Sequence, residues 1–313
     1  SERDMRSALT NDVVPAIGRM KLSDLRRIHV IELVEAKAKT APRSAALLLQ
    51  YTRAMLNFAC TRDYLNGNPL AGLKAKDILV SGQKDVLKPV QRGRVLDDDE
   101  IRSFWNNADN ASLHPLTVIA LRLVLLTGQR PGEVTGMHID EINGSNWTIP
   151  AARRGKSNNA HSVPLCSLAL QLIAAAKAEK DRLSNRRSKP QNGYLFEARP
   201  GAPISNATLG KAVTRAALPL QIKHVEPWGR WTPHDLRRTM RTGLSACRIA
   251  PHIAELAIGH GKKGLIQTYD QHEFGDEIRH ALEAWERRLM QIVGGHSAEQ
   301  SEVSNVLTLE AAR

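Results

Sequence analysis

A mainly α-helical chain with a small antiparallel β element is predicted from three features of the sequence. Apolar residues recur at helical spacing through residues 25–58, and the run PLTVIALRLVLLT at 115–127 has the length of a buried helix. NWTIPAARRGKSNNAHSVPL, residues 146–165, has two short β-prone ends around a polar, Gly-containing centre, which is the pattern of a hairpin. The length of 313 residues exceeds the usual single-domain size and points to about two domains.

The first helix is read in LSDLRRIHVIELVEAKAKT, with Leu25, Ile28 and Leu33 on its apolar face and Ser23 and Asp24 where an N-cap is wanted. The second is read in PRSAALLLQYTRAMLNFACTRDYL, with Leu47, Leu48, Tyr51, Met55 and Phe58 facing inward and the Asn66-Gly67-Asn68-Pro69 turn after it. Residues 74–93 have weak periodicity with scattered Lys, Gly and Pro, so they form a connector that holds the domain boundary. Asp97-Asp98-Asp99-Glu100 then opens a new helix, with acidic side chains in the first turn where the helix dipole favours them. Helices are predicted at 97–109, 115–127, 167–183, 205–217, 234–246, 251–258 and 275–293, with the hairpin between the second and third. Arg153, Arg154 and Lys156 crowd the hairpin tip, and a Gly-Gly break near 294 leaves residues 294–313 as a tail. The domains are therefore 1–75, a linker at 76–93, 94–293, and the tail.

Forty-four Lys and Arg against 32 Asp and Glu leave a net charge of +12, a field that attracts a polyanion. The charge is densest in residues 1–92, which carry a net +7 against +5 for the remaining 221. Cys60, Cys166 and Cys247 are far apart and in no CxxC spacing, which argues against a disulfide framework and a zinc site and for a reducing compartment. No apolar run approaches the roughly 18 residues of a membrane span, and the amino end has no apolar signal region. A cytoplasmic protein is expected.

Four stretches carry groups that suit phosphate chemistry, and each alone also has an ordinary structural reading. LTGQRPGEV, residues 126–134, ends an apolar helix at Gly128 and exposes Arg130 with Glu133 close behind, which is also how a plain helix corner looks. PHDLRRT, residues 233–239, sets His234 and Arg237 on one helical face. A His, ordinarily titrating near ~6.5, can take a proton, and an Arg can grip two phosphate oxygens, although Asp235 and Arg238 allow a simple ion-pair face. GHGKKGLIQTYDQH, residues 259–272, holds His260 and then Tyr269, one of four tyrosines and the one that no apolar pattern claims for packing. The hairpin tip supplies Lys156, placed to protonate a leaving oxygen if it faces DNA and otherwise a solvated turn.

Arg130 in TGQRPGE, Lys156 in a hairpin, His234-x-x-Arg237, Gly259-His260 and Tyr269 stand in the order and approximate spacing of the tyrosine recombinases, the phage integrase family. The chain resembles that family over residues 94 to about 290, and the segment ending NPLAGL resembles its core-DNA-binding domain. In detail it looks like the integrases of prophages and genomic islands, without room for their additional small arm-binding domain. Ile258, where the family often has Leu, is a small departure, and Lys156 is chosen over the adjacent Arg153 and Arg154.

The resemblance implies a helical core-DNA-binding domain and a mixed α/β catalytic domain. It implies a site-specific recombinase that cleaves DNA through a 3′-phosphotyrosyl intermediate and rejoins it, without metal, cofactor or ATP, to integrate or excise a mobile element. Tyr269 would be the nucleophile, Arg130, Lys156, His234, Arg237 and His260 the other catalytic groups, and Glu133 a support for Arg130. DNA-backbone contacts are expected from Lys74, Lys76, Lys84, Lys88, Arg153 and Arg154. The partners implied are double-stranded DNA attachment sites, three further copies on DNA for a protein that is a monomer when free, and accessory DNA-bending or excision factors. The tail would dock on a neighbouring subunit. A type IB topoisomerase, with a similar residue set, and a noncatalytic DNA-binding regulator are the competing readings.

Overall fold

The computed structural model describes residues 2–74, 77–78, 92–155, 159–187, 193–199, 201–216, 219–261 and 274–294. The chain divides into two compact units, Ser1–Gln91 and Arg92–Arg313.

In the first unit α1 (Glu2–Ala8) passes through a π-turn at Leu9–Val13 into α2 (Val14–Ile17), followed by α3 (Arg27–Ala38) and α4 (Pro42–Thr61). Pro42 opens α4 at a position where its missing N–H leaves no bond unmade. The core is built from Val13, Ile17, Val30, Val34, Leu48, Leu49, Leu56 and Leu70. Leu25 and Leu48 are inside as expected, and the rest of the inward faces is shifted. Ile28, Leu47 and Phe58 are exposed and Leu33, Tyr51 and Met55 half-buried, whereas Val30-Val34-Ala38 and Ala45-Leu48-Leu49-Leu56-Ala59 are inside. Both stripes have helical spacing; the one with smaller side chains lets α3 and α4 approach closely, and packing distance depends on those side chains. The cap also moves: Arg26 precedes α3, and its backbone N–H donates to His29 Nδ1 at 3.2 Å, while Ser23 and Asp24 lie in a preceding 3-10 turn.

The second unit opens with α5 (Asp98–Asn107), held by a reciprocal cap in which Glu100 N–H donates to Asp97 Oδ1 and Asp97 N–H to Glu100 Oε2. At its centre lies α6 (Pro115–Thr127), in which every residue from Leu116 to Leu126 except Arg122 is buried. Each fully buried leucine, such as Leu121 or Leu125, contributes about 1.5–3 kcal/mol relative to exposure. Around α6 pack α8 (Ser167–Arg187) and α10 (Pro233–Ala246), and α12 (Gly275–Gly294) sends the buried Trp285 indole N–H to the Leu125 carbonyl at 2.9 Å. The remaining helices are α7 (Pro131–Thr135), α9 (Asn206–Ala216) and α11 (Pro251–Ala257).

The hairpin is present as β2 (Asn146–Ile149) and β3 (His161–Pro164), in antiparallel register with Trp147 opposite Val163 and Ile149 opposite His161. Strand β1 (Ile142–Asn143) pairs with β2 to make three strands, and β4 (Glu197–Arg199) pairs with β5 (Ala202–Pro203). The mainly helical class with a small antiparallel sheet is thus the observed one. No described helix is long and apolar enough to cross a membrane.

Candidate active site

The site begins where α6 stops. Gly128 takes a left-handed conformation, φ +66°, and a Cβ there would lie 2.6 Å from Met240 Sδ and 3.0 Å from Ile258 Cγ2. Only glycine both turns the chain and fits this gap. Gln129 is buried, and its amide donates to the carbonyls of Thr127 and Ala257, so the turn is tied to α11. Arg130 then caps α7, with Pro131 at the first helical position and Glu133 at the third. Its backbone N–H donates to Glu133 Oε2 at 2.9 Å and its Nη1 to Oε1 at 2.7 Å. The 3 % exposed Glu133 carboxylate thereby orients a guanidinium that remains 37 % exposed.

Helix α10 delivers the next pair. Arg237 is 4 % exposed; its Nη1 donates to the Gly128 carbonyl at 2.9 Å and its Nη2 meets His260 Nε2 at 3.1 Å. Burial, and then the charge of Arg130, lower its pKa to about 10, so it stays a cation at neutral pH beside a second cation. His234 stands one turn earlier. The residue is exposed, yet partial burial and the charges of Arg238, Arg237 and Arg130 hold its pKa down to about 4. The imidazole is thus neutral at pH 7, the form that can accept a proton, although its lowered pKa makes it a weak base until a nearby anion raises it.

His260 follows Gly259, whose φ of +77° and lack of a Cβ admit His161 Cδ2 at 2.9 Å and Arg154 Nη2 at 3.0 Å from the place a Cβ would take. The His260 Nδ1 is hydrogen-bonded to Glu255 Oε2, and Arg241 Nε donates to the other Glu255 oxygen at 2.7 Å. A donor on Nδ1 and an acceptor on Nε2 satisfy Glu255 and Arg237 together. In the free protein, therefore, the nitrogen expected to meet a phosphate oxygen is turned to Arg237. A cleft of about 580 Å³ is lined by Arg130, Glu133, Arg153, Arg154, Thr232 and His234 among others. Among the described residues no group of three or more His, Cys, Asp or Glu could hold a metal ion.

Arg153 and Arg154 depart from expectation. Arg153 turns back to the Glu133 carbonyl and the Glu141 carboxylate, each at 3.0 Å, and Arg154 is buried with its guanidinium on the carbonyls of Asn159 and Gly259. Both leave the hairpin tip because unpaired carbonyls and a carboxylate lie inward of it, and a buried charge needs such partners. Lys74 is exposed at the end of the described first unit, with its backbone N–H on Asp77. Lys156, Tyr269, Lys76, Lys84, Lys88 and the tail from residue 295 lie outside the described residues.

His161 has no counterpart in the sequence-based set. Burial, followed by the charge of Arg154, lowers its pKa to about 4, and its Nε2 has no hydrogen-bond partner among the described residues. An unfolded histidine takes up its proton near ~6.5, whereas folded His161 and His234 resist protonation until about 4. Between those values the unfolded state binds more protons, so folding stability is lost as pH falls through that window. The melting temperature is expected to drop from about pH 7 to about pH 5, and His161→Asn to flatten that slope. An equal slope in the variant would refute this.

Comparison with known proteins bears on the whole arrangement. The family model described as "Phage integrase family" matches residues 94–275, and "Phage integrase central domain" matches residues 1–76. The chain belongs to the phage integrase family. It is a tyrosine recombinase, an enzyme of site-specific DNA recombination. It is 25 % identical over 298 residues to the prophage integrase IntZ of Escherichia coli (strain K12), covering 94 % of this chain and 67 % of that one. Its fold is similar to that of a lambda integrase tetramer bound to a Holliday junction, with a TM-score of 0.64 and 17 % identity over 87 % of this chain and 74 % of that one. It is also similar to the Tn1549 transposon integrase in complex with circular intermediate DNA, with a TM-score of 0.59 and 17 % identity over 89 % and 90 %.

In this integrase-family chain the fold brings Arg130, Glu133, His234, Arg237 and His260 together. Arg92, Gln129, His161 and Glu255 carry no signal of a role at the site in the sequence, where Asp235 reads as part of a surface ion-pair face. The Glu133 cap was legible in R-P-G-E, a capping-box spacing. For Glu255, five residues before His260, no comparable local rule exists.

Proposed function

We propose that this protein recombines DNA by attack of the Tyr269 phenol on a scissile phosphate, forming a 3′-phosphotyrosyl link that a second strand then resolves. One observation carries the reading: two guanidinium groups, Arg130 partly exposed and Arg237 buried, sit close enough that burial and then the Arg130 charge lower the pKa of Arg237, beside a neutral His234. Like charges held together at a cleft are unfavourable until an anion lies between them, and a phosphodiester supplies that anion.

In the forward step the Tyr269 oxygen bonds to phosphorus as the bond from phosphorus to the 5′ oxygen breaks. The phenolic proton passes to His234, whose pKa the phosphate charge raises. Arg130 and Arg237 hold the nonbridging oxygens, where charge builds in the pentavalent transition state. His260 joins them once the phosphate displaces it from Arg237. Lys156 gives its proton to the leaving 5′ alkoxide. A 5′-hydroxyl from a partner duplex reverses these steps, and because the link conserves the phosphodiester bond neither ATP nor a metal ion is required. The reaction serves integration or excision of a mobile element. The active assembly is a tetramer on two duplexes, formed from free monomers with accessory DNA-bending or excision factors, and residues 294–313 dock on a neighbouring subunit.

The test uses nicked duplexes drawn from the DNA flanking the encoding gene, where an attachment site is expected. The protein should form a denaturant-resistant adduct through a 3′ phosphate at one position, in the presence of a chelator and without ATP. Absence of any adduct would leave a binding protein, and relaxation of supercoils irrespective of sequence would indicate a topoisomerase.

A further inference from the structure

Helix α10 carries both His234 and Arg237, so whatever fixes its first turn fixes the cleft. Its third residue, Asp235, is fully buried, and its carboxylate accepts from the Thr232 backbone N–H at 2.8 Å, the Thr232 hydroxyl at 2.9 Å and Arg238 Nη1 at 2.6 Å. Those partners lie within three residues and move with the helix. One partner does not: Arg92, the residue with which the second unit begins. Its Nε donates to Asp235 Oδ1 at 2.9 Å and its Nη2 to Oδ2 at 2.7 Å, a fork across 143 positions of sequence. The same guanidinium donates to the carbonyls of Trp228 and Arg230, each at 2.5 Å, and so grips the loop that leads into α10.

We infer that Arg92 is a positioning residue of the recombinase reaction, latching Asp235 and the loop before α10 so that His234 and Arg237 meet the scissile phosphate in register. A planar guanidinium is suited to this because it fixes direction as well as charge when both carboxylate oxygens are engaged. The Arg92 side chain is only 25 % exposed and its polar face is directed inward, so it acts through Asp235 and not as a phosphate contact. The inference rests on the proposed covalent chemistry, in which misplacement of a reacting group by about 1 Å lowers the rate by about 10².

The test is single-turnover adduct formation on a nicked duplex at saturating protein, with the dissociation constant for the same DNA measured alongside. Arg92→Ala is expected to slow cleavage by about 10² while the dissociation constant changes by less than about threefold. Arg92→Lys keeps the charge without the fork, should retain most of the defect, and carries the test if the alanine variant does not fold. Arg92→Ala combined with Asp235→Asn should be slower than Asp235→Asn alone by much less than the full Arg92→Ala defect, because the fork between them is removed in both and only the bonds of Arg92 to the Trp228 and Arg230 carbonyls are lost in addition. Near-normal cleavage by both Arg92 variants, a parallel loss of DNA affinity, or multiplying defects in the double variant would each overturn the latch. If the unaltered protein forms no adduct, the proposed function fails instead, and the two failures are told apart.

Discussion

A Tyr269→Phe protein should bind its DNA as tightly as the unaltered protein and form no covalent adduct at all. The substitution removes one oxygen and leaves the ring, so the packing that the side chain has is retained. A free phenol ordinarily titrates near ~10, and phosphate affinity depends on cations instead. DNA binding and its salt dependence should therefore be unchanged. Two of the described thiols are poor substitute nucleophiles: the buried Cys166 thiol is pushed up to about 12, and burial raises the Cys247 thiol as well. Denaturing gel shift on a nicked duplex reads the adduct and fluorescence anisotropy reads the affinity. A residual adduct in the phenylalanine variant would show that another residue attacks.

Arg237→Ala should lower the rate of adduct formation by about 10²–10³, the usual loss when one preorganised donor to a developing oxyanion is removed. Its effect on folding should be much smaller, because two contributions oppose. The variant loses the hydrogen bond to the Gly128 carbonyl and leaves His260 Nε2 without its donor, at a cost of about 1–3 kcal/mol. It also removes a cation that burial, and then the charge of Arg130, disfavours. The expected signature is a collapse of single-turnover cleavage with a modest shift in melting temperature. A cleavage rate within about tenfold of normal would mean that Arg237 braces the α6 turn and does not touch the phosphate.

How the site was legible differs from residue to residue. Gly128 ends an apolar run, and R-P-G-E and T-P-H-D place a cap, a proline and an acid at fixed helical offsets, so the local frames of Arg130 and of His234 with Arg237 follow from short-range rules. Asp235 obeys the same capping rule, but its burial and its bond to Arg92 do not, because the partner lies 143 residues away. Glu255 is similar: a carboxylate five residues before a histidine has no meaning until the turn at Gly259 folds the ring back onto it. The inward bonds of Arg153 and Arg154 are illegible for a related reason. Arginine is usually solvated, and only the enclosing loop reveals that carbonyls of Asn159 and Gly259 require a donor.

By itself, then, the sequence determined the helical periodicity, the hairpin ends, the caps that start and stop the site-bearing helices, and the family to which the ordered reactive groups point. Tertiary structure decided which of two apolar stripes on α3 and α4 faces inward, which arginines are free to meet DNA, and which carboxylates hold Arg130, His260 and the start of α10. The physical reason is range. Caps and periodicity arise from hydrogen bonds and side-chain spacing within about one helical turn, whereas burial and ion pairing depend on groups that only the folded chain brings within about 3 Å of one another.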